Sequence, residues 1–571
     1  MNPPVLDFRN TNALWGSVLA ETLVRCGVTH AVVSPGSRST PLTMALARHP
    51  GIEAIPVLDE RSAAFFALGL AKRTGRPVLL LCTSGTAGAN YFPAVIEAHE
   101  SRVPLLVITA DRPPEMRDCA SGQTIDQQKL FGGYTVAYHE FAVPEASFER
   151  LRYLRQTLAW AVGRTAEGPV HLNAPFRDPL PPTPDASCAT VEAAWPADFF
   201  AHLEPAALVT SAVTFRQKAT TARGLIVAGP ASPGDPTAYV ASVAALSRAL
   251  GWPVLADALS PLRHGGVEVV TAYDAILRNE AAARDLTPRT VLCLEGWPTS
   301  KVLRSWLERS GAEVVLVAPG AANRDALHGR TRQLPGLPEH VVAEGAAVAD
   351  DSYRQAWRRA EVAARGVIDA ALTAGGPWFE PQVAWLLARH LPPDTPVFVA
   401  SSMPVRDLEY VWSATARRHR IYFNRGANGI DGTLSTALGV AHGGAPAVLL
   451  TGDLALLHDA NGFLTAPRLR GSLTVVLINN AGGGIFEHLP VAQFDPPFET
   501  YWATPQQVDF ASLCAAHRVD HSVVADAADF IACLAAPARP GVRVLEVRTN
   551  RKHDAAARKA LFAAAAKAVA P

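Results

Sequence analysis

Two short polar segments carry the clearest chemistry in this 571-residue chain: Gly452-Asp453 and Asn479-Asn480, with Asp453 and Asn480 27 positions apart (480 minus 453). Each closes an apolar run, VLLT before the first and LTVVLIN before the second, short enough to be a buried parallel strand. The carboxylate of Asp453, the amide oxygen of Asn480 and a nearby backbone carbonyl suit a hard divalent cation such as Mg2+, which completes its octahedron with phosphate oxygens and water. Gly482-Gly483-Gly484 follows and lets backbone come close to a phosphate. A metal-bridged diphosphate is the natural ligand of this combination. Singly, Gly-Asp and Asn-Asn are ordinary turn residues. Their joint spacing across one predicted helix, with Leu456, Phe463 and Leu464 on one side and a stop at Gly471, instead points to a site at the carboxyl ends of two strands.

The spacing resembles the thiamine diphosphate signature, a Gly-Asp-Gly followed one helix later by Asn-Asn, with Leu454 in place of the second Gly. That cofactor also needs a carboxyl group at a ring nitrogen of its aminopyrimidine, to drive the imino form that removes the C2 proton. Glu60, after the strand-like IEAIPVLD and before AAFFALGLA, is the candidate. As a purely structural residue it would only favour a helix N-terminus, a contribution of ~0.3–1 kcal/mol.

Arginines mark the substrate. Arg38 in SPGSRST, Arg112 in TADRPPE, Arg406 in SSMPVRD and Arg425 in NRGANGIDG all follow predicted strands, where loops converge on a ligand. Each guanidinium can hold a carboxylate bidentately. Any one of them could be a surface or ion-pair residue, but four at comparable places imply a polycarboxylate. His442, His458 and His488 lack metal-ligand spacing and read as polar residues near the site.

The elements that must place these residues alternate. From residue 11 to 110, Asn12 is read as the cap of a helix through Leu23 that stops at Gly27, followed by HAVVS, the helix PLTMALARH and IEAIPVLD. A helix ERSAAFFALGLAKRTG then stops at Gly75, and PVLLLC and PLLVITA flank a helical YFPAVIEAHES. Such alternation predicts parallel sheets covered on both faces. The Pro-rich NAPFRDPLPPTPD after Asn173 reads as a first linker, and a polar, Ala-rich stretch from about 340 to 376 as a second boundary. Between them lies another α/β section without GxGxxG, so a dinucleotide site there has little support. The tail ARKALFAAAAKAVA is expected to be a surface helix. The first and third sections open on similar loops, SPGSRST and SSMPVRD, a hint of duplication too short to establish one.

Composition sets the bounds. The length suggests ~3 or 4 domains. Lys plus Arg and Asp plus Glu balance at 52 each, which argues against nucleic acid. Seven scattered cysteines without CxxC spacing fit a reducing cytoplasm. Asp7 and Arg9 interrupt any signal-peptide core, and no apolar run reaches a membrane span, so a soluble protein is expected.

SPGSRSTPL, DERSAAFFALGLAK, TSGTAGANYFPAVIEA, TADRPPE, GQTIDQ, SSMPVRD, NRGANGIDG, GDLALLHDANGF and NNAGGGIF together resemble the 2-succinyl-5-enolpyruvyl-6-hydroxy-3-cyclohexene-1-carboxylate synthase family of the menaquinone pathway. The resemblance spans residues 34 to 486, and its departure is Ala481, where the family often has a third Asn. It implies three consecutive doubly wound parallel-sheet α/β domains: 1–180 for the pyrimidine, 195–345 central, and 360–571 for diphosphate and Mg2+. It implies decarboxylation of 2-oxoglutarate on thiamine diphosphate and addition of the resulting carbanion to isochorismate. Glu60 resembles the activating acid. Asp453, Asn480 and the Gly482 carbonyl resemble the ligands of Mg2+, with Mn2+ as the alternative metal. Ile430, Gly452, Leu454, Gly483 and Ile485 resemble further cofactor contacts. Ser37, Arg38, Arg112, Gln123, Lys301, Arg406, Arg425, Ile485, Phe486 and Leu489 resemble the substrate-binding set, although each apolar member could equally be core. It also implies a homodimer or homotetramer with active sites at the subunit interface. Another thiamine diphosphate enzyme, a 2-oxoacid decarboxylase or acetolactate-synthase-like carboligase, would use the same scaffold without needing all four arginines. A non-catalytic binding subunit would not need Glu60.

Overall fold

A computed structural model describes residues 4–205, 213–216, 223–320, 322–344, 350–374 and 377–569. The chain forms two compact units, one of Met1–Leu208, Asn424–Gly444 and His458–Gly471, the other of Val209–Phe423, Ala445–Leu457 and Ser472–Pro571.

The first unit holds a six-stranded parallel sheet in the order Glu53–Pro56, His30–Val33, Val78–Cys82, Leu105–Asp111, Val170–Pro175, Ala137–Glu140. Its central strands VLLLC and LLVITAD are buried at every position, as expected of a sheet covered on both faces. The helix Thr11–Arg25 is capped by Asn10, whose side chain accepts from the Ala13 N–H, and not by Asn12. Asn12 faces the other way: its amide donates to the carbonyls of Arg177 and Pro179, while that of Asn10 donates to Pro181 and Thr183. The Pro-rich stretch read as a linker is therefore pinned along the first helix.

Glu60–Thr74 is helical as expected, capped by Asp59 and stopped by Gly75 in the left-handed region (φ 65°). It crosses the helix Thr433–Ala441 of the same unit with no room for side chains. A Cβ on Gly69 would lie 2.0 Å from the Thr436 carbonyl oxygen, and one on Gly439 2.1 Å from that of Phe66. The helix expected between Asp453 and Gly471 is instead a short helix Asp453–His458 followed by a 3-10 segment Ala460–Arg468. In the tighter winding Phe463 and Ala466, three apart, face inward, and Leu464 is left exposed. Pro467 inside the segment removes an N–H that an α-helix would use.

His171 is buried in the first sheet, with Nε2 2.8 Å from the Thr109 hydroxyl, and burial lowers its pKa to about 3. The unfolded chain takes up that proton near pH 6.5. Stability is therefore lost as pH falls from about 6.5 toward 3, by ~1.4 kcal/mol per pH unit for this ring. His171→Gln is expected to flatten the fall of the denaturation midpoint between about pH 7 and pH 5 by that share. An unchanged slope would show that the ring does not titrate on unfolding.

The second unit holds a five-stranded and a six-stranded parallel sheet. The central one runs Arg330–Pro335, Glu313–Ala318, Thr290–Leu294, Gly224–Ala228, Val254–Ala256. The third runs Arg420–Phe423, Pro396–Val399, Ala447–Gly452, Ser472–Asn479, Gly541–Arg548, Asp520–Val523. Val341–Glu344 and Val213–Arg216 pair separately. Numbered within themselves, the first and third sheets share the order 2-1-3-4-6-5. The stretch read as the second boundary contains the helix Ser352–Thr373, with Tyr353, Trp357, Ala360, Ala364, Ile368 and Leu372 buried at helical spacing. Residues 345–349 and 375–376 of that stretch lie outside the described residues. The tail is the helix Arg551–Ala568, and it is not a mere surface element: Asp554, Arg558, Leu561, Phe562 and Ala565 are buried. No described helix is long and apolar enough to cross a membrane.

Candidate active site

In an open parallel sheet ligands gather where the strand order reverses, outside the carboxyl ends. In the first sheet that point lies between His30–Val33 and Val78–Cys82. The loops leaving these strands carry Ser37 and Arg38, and Ser84. Arg38 is buried: Nη1 donates to the Phe176 carbonyl at 2.8 Å, and Nε has no hydrogen-bond partner. Burial, then the nearby Arg112 guanidinium, lowers its pKa, which places the two cations in one neighbourhood. Arg112 donates to the Ser84 hydroxyl and the Gly122 carbonyl, each at 2.8 Å. Gln123 holds a left-handed backbone (φ 56°), donates to the Ser84 carbonyl at 3.1 Å and accepts from the Ser84 hydroxyl at 3.0 Å. Ser84, absent from the expected set, thus ties Arg112 to Gln123. Ser37 is exposed beside them.

Glu60 is the first residue of its helix and half-buried. Its neighbour Asp59 is fully engaged, accepting from the Arg61 N–H, the Arg61 guanidinium and the Asn461 amide. Among the described residues no hydrogen bond engages the Glu60 carboxylate itself. Also in this unit, Ile430 is half-buried, with its carbonyl accepting from Thr433, and Arg425 precedes Gly426 and Ala427, whose N–H groups donate to Glu97. His442 is buried and bonds Glu53 at 2.8 Å.

In the third sheet the reversal lies between Pro396–Val399 and Ala447–Gly452. Arg406 sits in the helix Met403–Val411 after the first of these strands, and Asp453 directly follows the second. Asp453 is buried; one carboxylate oxygen accepts from the Leu454 N–H and the other from the Gly482 N–H, both at 2.8 Å. Burial pushes its pKa up to about 6. The two asparagines separate in role. Asn479 turns its amide into the sheet, donating to Glu546 at 2.8 Å, whereas Asn480 donates to Glu380 and leaves its carbonyl oxygen buried without a partner.

The three glycines are needed by the chain's own packing. At Gly482 (φ 131°) a Cβ would lie 2.3 Å from the Ala503 carbonyl oxygen, and at Gly484 2.7 Å from the Asn480 amide nitrogen. Ala481 is exposed with φ 60°, a conformation Asn tolerates better than Ala. Gly452, Leu454, Ile485 and Phe486 are half-buried, Gly483 buried, and Leu489 exposed. Lys301 is exposed at the start of the helix Lys301–Ser310, whose Arg304 lies close enough to Arg406 to help burial lower the Arg406 pKa.

This donor set suits a hard cation better than a soft one: one carboxylate, one amide oxygen without a partner and a backbone carbonyl, all oxygen. No three His, Cys, Asp or Glu side chains gather as a metal cluster among the described residues. A cation here would thus rely on the amide and carbonyl oxygens.

Residues 15–130 match the model of the thiamine pyrophosphate enzyme N-terminal TPP binding domain, 201–399 that of the middle domain, and 408–547 that of the C-terminal TPP binding domain. The 2-succinyl-5-enolpyruvyl-6-hydroxy-3-cyclohexene-1-carboxylate synthase of Microcystis aeruginosa (strain NIES-843 / IAM M-2473) is 51% identical over 555 residues, covering 96% of this chain and 98% of the relative. The synthase of the same name from Synechococcus sp. (strain JA-3-3Ab) is 52% identical over 581 residues, covering 98% and 97%. The chain belongs to this synthase family. It is a thiamine diphosphate-dependent transferase; the parallel-sheet fold expected from the alternating elements and the cofactor expected from the Asp453–Asn480 spacing both hold. Besides Ser84, the residue missed by the sequence reading is Glu380, an acid at the start of the helix Glu380–His390 with no motif around it.

Proposed function

We propose that this synthase decarboxylates 2-oxoglutarate and adds the four-carbon remainder to isochorismate, with Mg2+ (or Mn2+) held by Asp453, Asn480 and the Gly482 carbonyl. The observation that carries the metal reading is the buried Asn480 carbonyl oxygen, left without a partner in the same Gly-rich turn whose Gly482 N–H binds Asp453. A polar atom so placed is costly unless a ligand takes it up. The cofactor, when bound, supplies the electron sink that makes loss of carbon dioxide feasible.

The chain's own residues do the rest. With the cofactor bound, the Glu60 carboxyl would hold a proton at the aminopyrimidine ring nitrogen. Gly452, Leu454 and Gly483 would hold its diphosphate, and Ile430 and Ile485 would contact the cofactor. Ser37, Arg38, Arg112, Gln123, Arg406 and Arg425 hold substrate carboxylates, with Lys301 as an outer cation and Phe486 and Leu489 as apolar wall. In the same reading residues 1–180 serve the pyrimidine, 195–345 form the central domain and 360–571 serve diphosphate and metal. The working form is a homodimer or homotetramer, which sedimentation would reveal as the absence of monomer.

The deciding assay supplies 2-oxoglutarate, isochorismate, Mg2+ and thiamine diphosphate and follows loss of isochorismate. Turnover with pyruvate but not 2-oxoglutarate would overturn the substrate assignment. Arg38→Lys keeps the charge and removes the fork. It is expected to lower kcat/KM ~10–100-fold, the size of one charge-assisted hydrogen bond of ~1.5–3 kcal/mol, with cofactor affinity unchanged. Wild-type kcat/KM in that variant would remove Arg38 from the substrate set.

A further inference from the structure

We propose that Glu380 is a positioning residue that fixes the side-chain amide of Asn480, so that its carbonyl oxygen rather than its NH2 group is offered to the metal; this rests on the metal assignment above. The two ends of an amide are nearly equal in size, and a half-turn about the last side-chain bond would exchange a ligand for a donor. Only an acceptor held against the nitrogen can settle the choice. Glu380, buried at 1% exposure, is that acceptor: Asn480 Nδ2 donates to its Oε1.

Glu380 is itself held in place. Arg558, also buried, donates to its other oxygen and clamps Asp407 through Nε at 2.7 Å and Nη2 at 2.6 Å. The Thr549 hydroxyl approaches Oε1 at 3.4 Å. Gly484 closes the remaining side, since a Cβ there would lie 2.7 Å from Asn480 Nδ2. The Asn480 amide thus has its nitrogen spoken for and its buried oxygen without a partner. Asn479, one residue earlier, has both ends of its amide satisfied within the chain, Nδ2 by Glu546 and Oδ1 by the Ala481 N–H. Grouping Glu380 and Asp407 on one arginine, with Asp554 close enough to feel its charge, is an expensive way to gain stability. It makes sense as a rigid support, and residues that orient metal ligands from behind commonly cost ~10–100-fold in metal affinity when replaced.

The test titrates Mg2+ into the full chain with thiamine diphosphate and reads apparent metal affinity calorimetrically, with the melting temperature of the unliganded protein as a fold control. Gln at 380 has one oxygen to share between Arg558 and Asn480, so Glu380→Gln is expected to weaken Mg2+ binding ~10–100-fold. In an Asn480→Asp background the effect should change sign. There the wild-type Glu380 faces a carboxylate, and E380Q supplies an N–H to it, so the double variant should bind Mg2+ more tightly than N480D alone. Equal affinity in E380Q, or a loss of the same direction in both backgrounds, would overturn the proposal, because a merely structural role would not reverse. If E380Q does not fold, Glu380→Asp, which withdraws the acceptor by one methylene, takes its place: a loss of similar size supports the proposal and wild-type affinity overturns it. Asp453→Asn separates this inference from the reading beneath it. Metal affinity indifferent to Asp453 would sink the metal site itself, whereas sensitivity at 453 with indifference at 380 would sink the positioning role alone.

Discussion

Glu60→Gln is expected to lower kcat by about 10^2–10^4-fold, the range for loss of a general acid–base group, while Mg2+ and thiamine diphosphate still bind within a few-fold of wild type. The helix it begins is over-determined: Asp59 caps it, Asn461 grips Asp59, and Gly69 and Gly439 lock it against a second helix. The substitution keeps size and removes only the ability to exchange a proton, so the fold should survive. Burial raises the pKa of Cys82 and Tyr91, and the charge of Glu60 adds to both, which places its carboxylate near the end of the central strand Val78–Cys82. The measurement that isolates the role is exchange of the cofactor C2 proton, followed by NMR after deuterium transfer. Exchange at the wild-type rate would remove Glu60 from the activating role even if turnover fell.

The second large effect belongs to Asp453. Asp453→Ala removes an anionic donor and the acceptor that tethers the Gly482 N–H, and metal-dependent cofactor affinity is expected to fall beyond the ~10–100-fold typical of outer partners. Asp453→Asn separates the two losses, since its amide oxygen can still accept one of these N–H bonds while the charge is gone. Calorimetric titration of thiamine diphosphate with and without Mg2+ reads both. A variant whose affinity responds to Mg2+ as the wild type does would exclude Asp453 as a ligand.

What could be read from the chain is what local pattern encodes. Runs such as VLLLC and LTVVLIN are mostly apolar because both faces of a parallel strand are covered, and helix stops such as Gly75 are single-residue signals. The Asp453–Asn480 spacing is legible for the same reason: one crossover between neighbouring strands has a nearly set length, so its two ends form a local pattern. Local competition explains the misreadings. Asn10 and Asn12 are equally good caps by type, and only the carbonyls waiting at Arg177 and Pro179 assign Asn12 elsewhere. The Ala-rich run after Ser352 looks like a linker until Trp357 and Ile368 find a core to enter.

The residues proposed to hold the cofactor were therefore legible in the sequence itself: Asp453, Asn480 and Glu60 could be named as candidates from their neighbours in the chain. Tertiary structure alone decided which groups stand beside them. The shared strand order of the first and third sheets turns a short loop likeness, SPGSRST and SSMPVRD, into the same topological position. It also brings Glu380 to Asn480 across 100 residues and Arg558 to Asp407 across 151. Such pairings have no period and no motif. They depend on which strands become neighbours, a choice made by burial of the whole sheet rather than by any stretch of it.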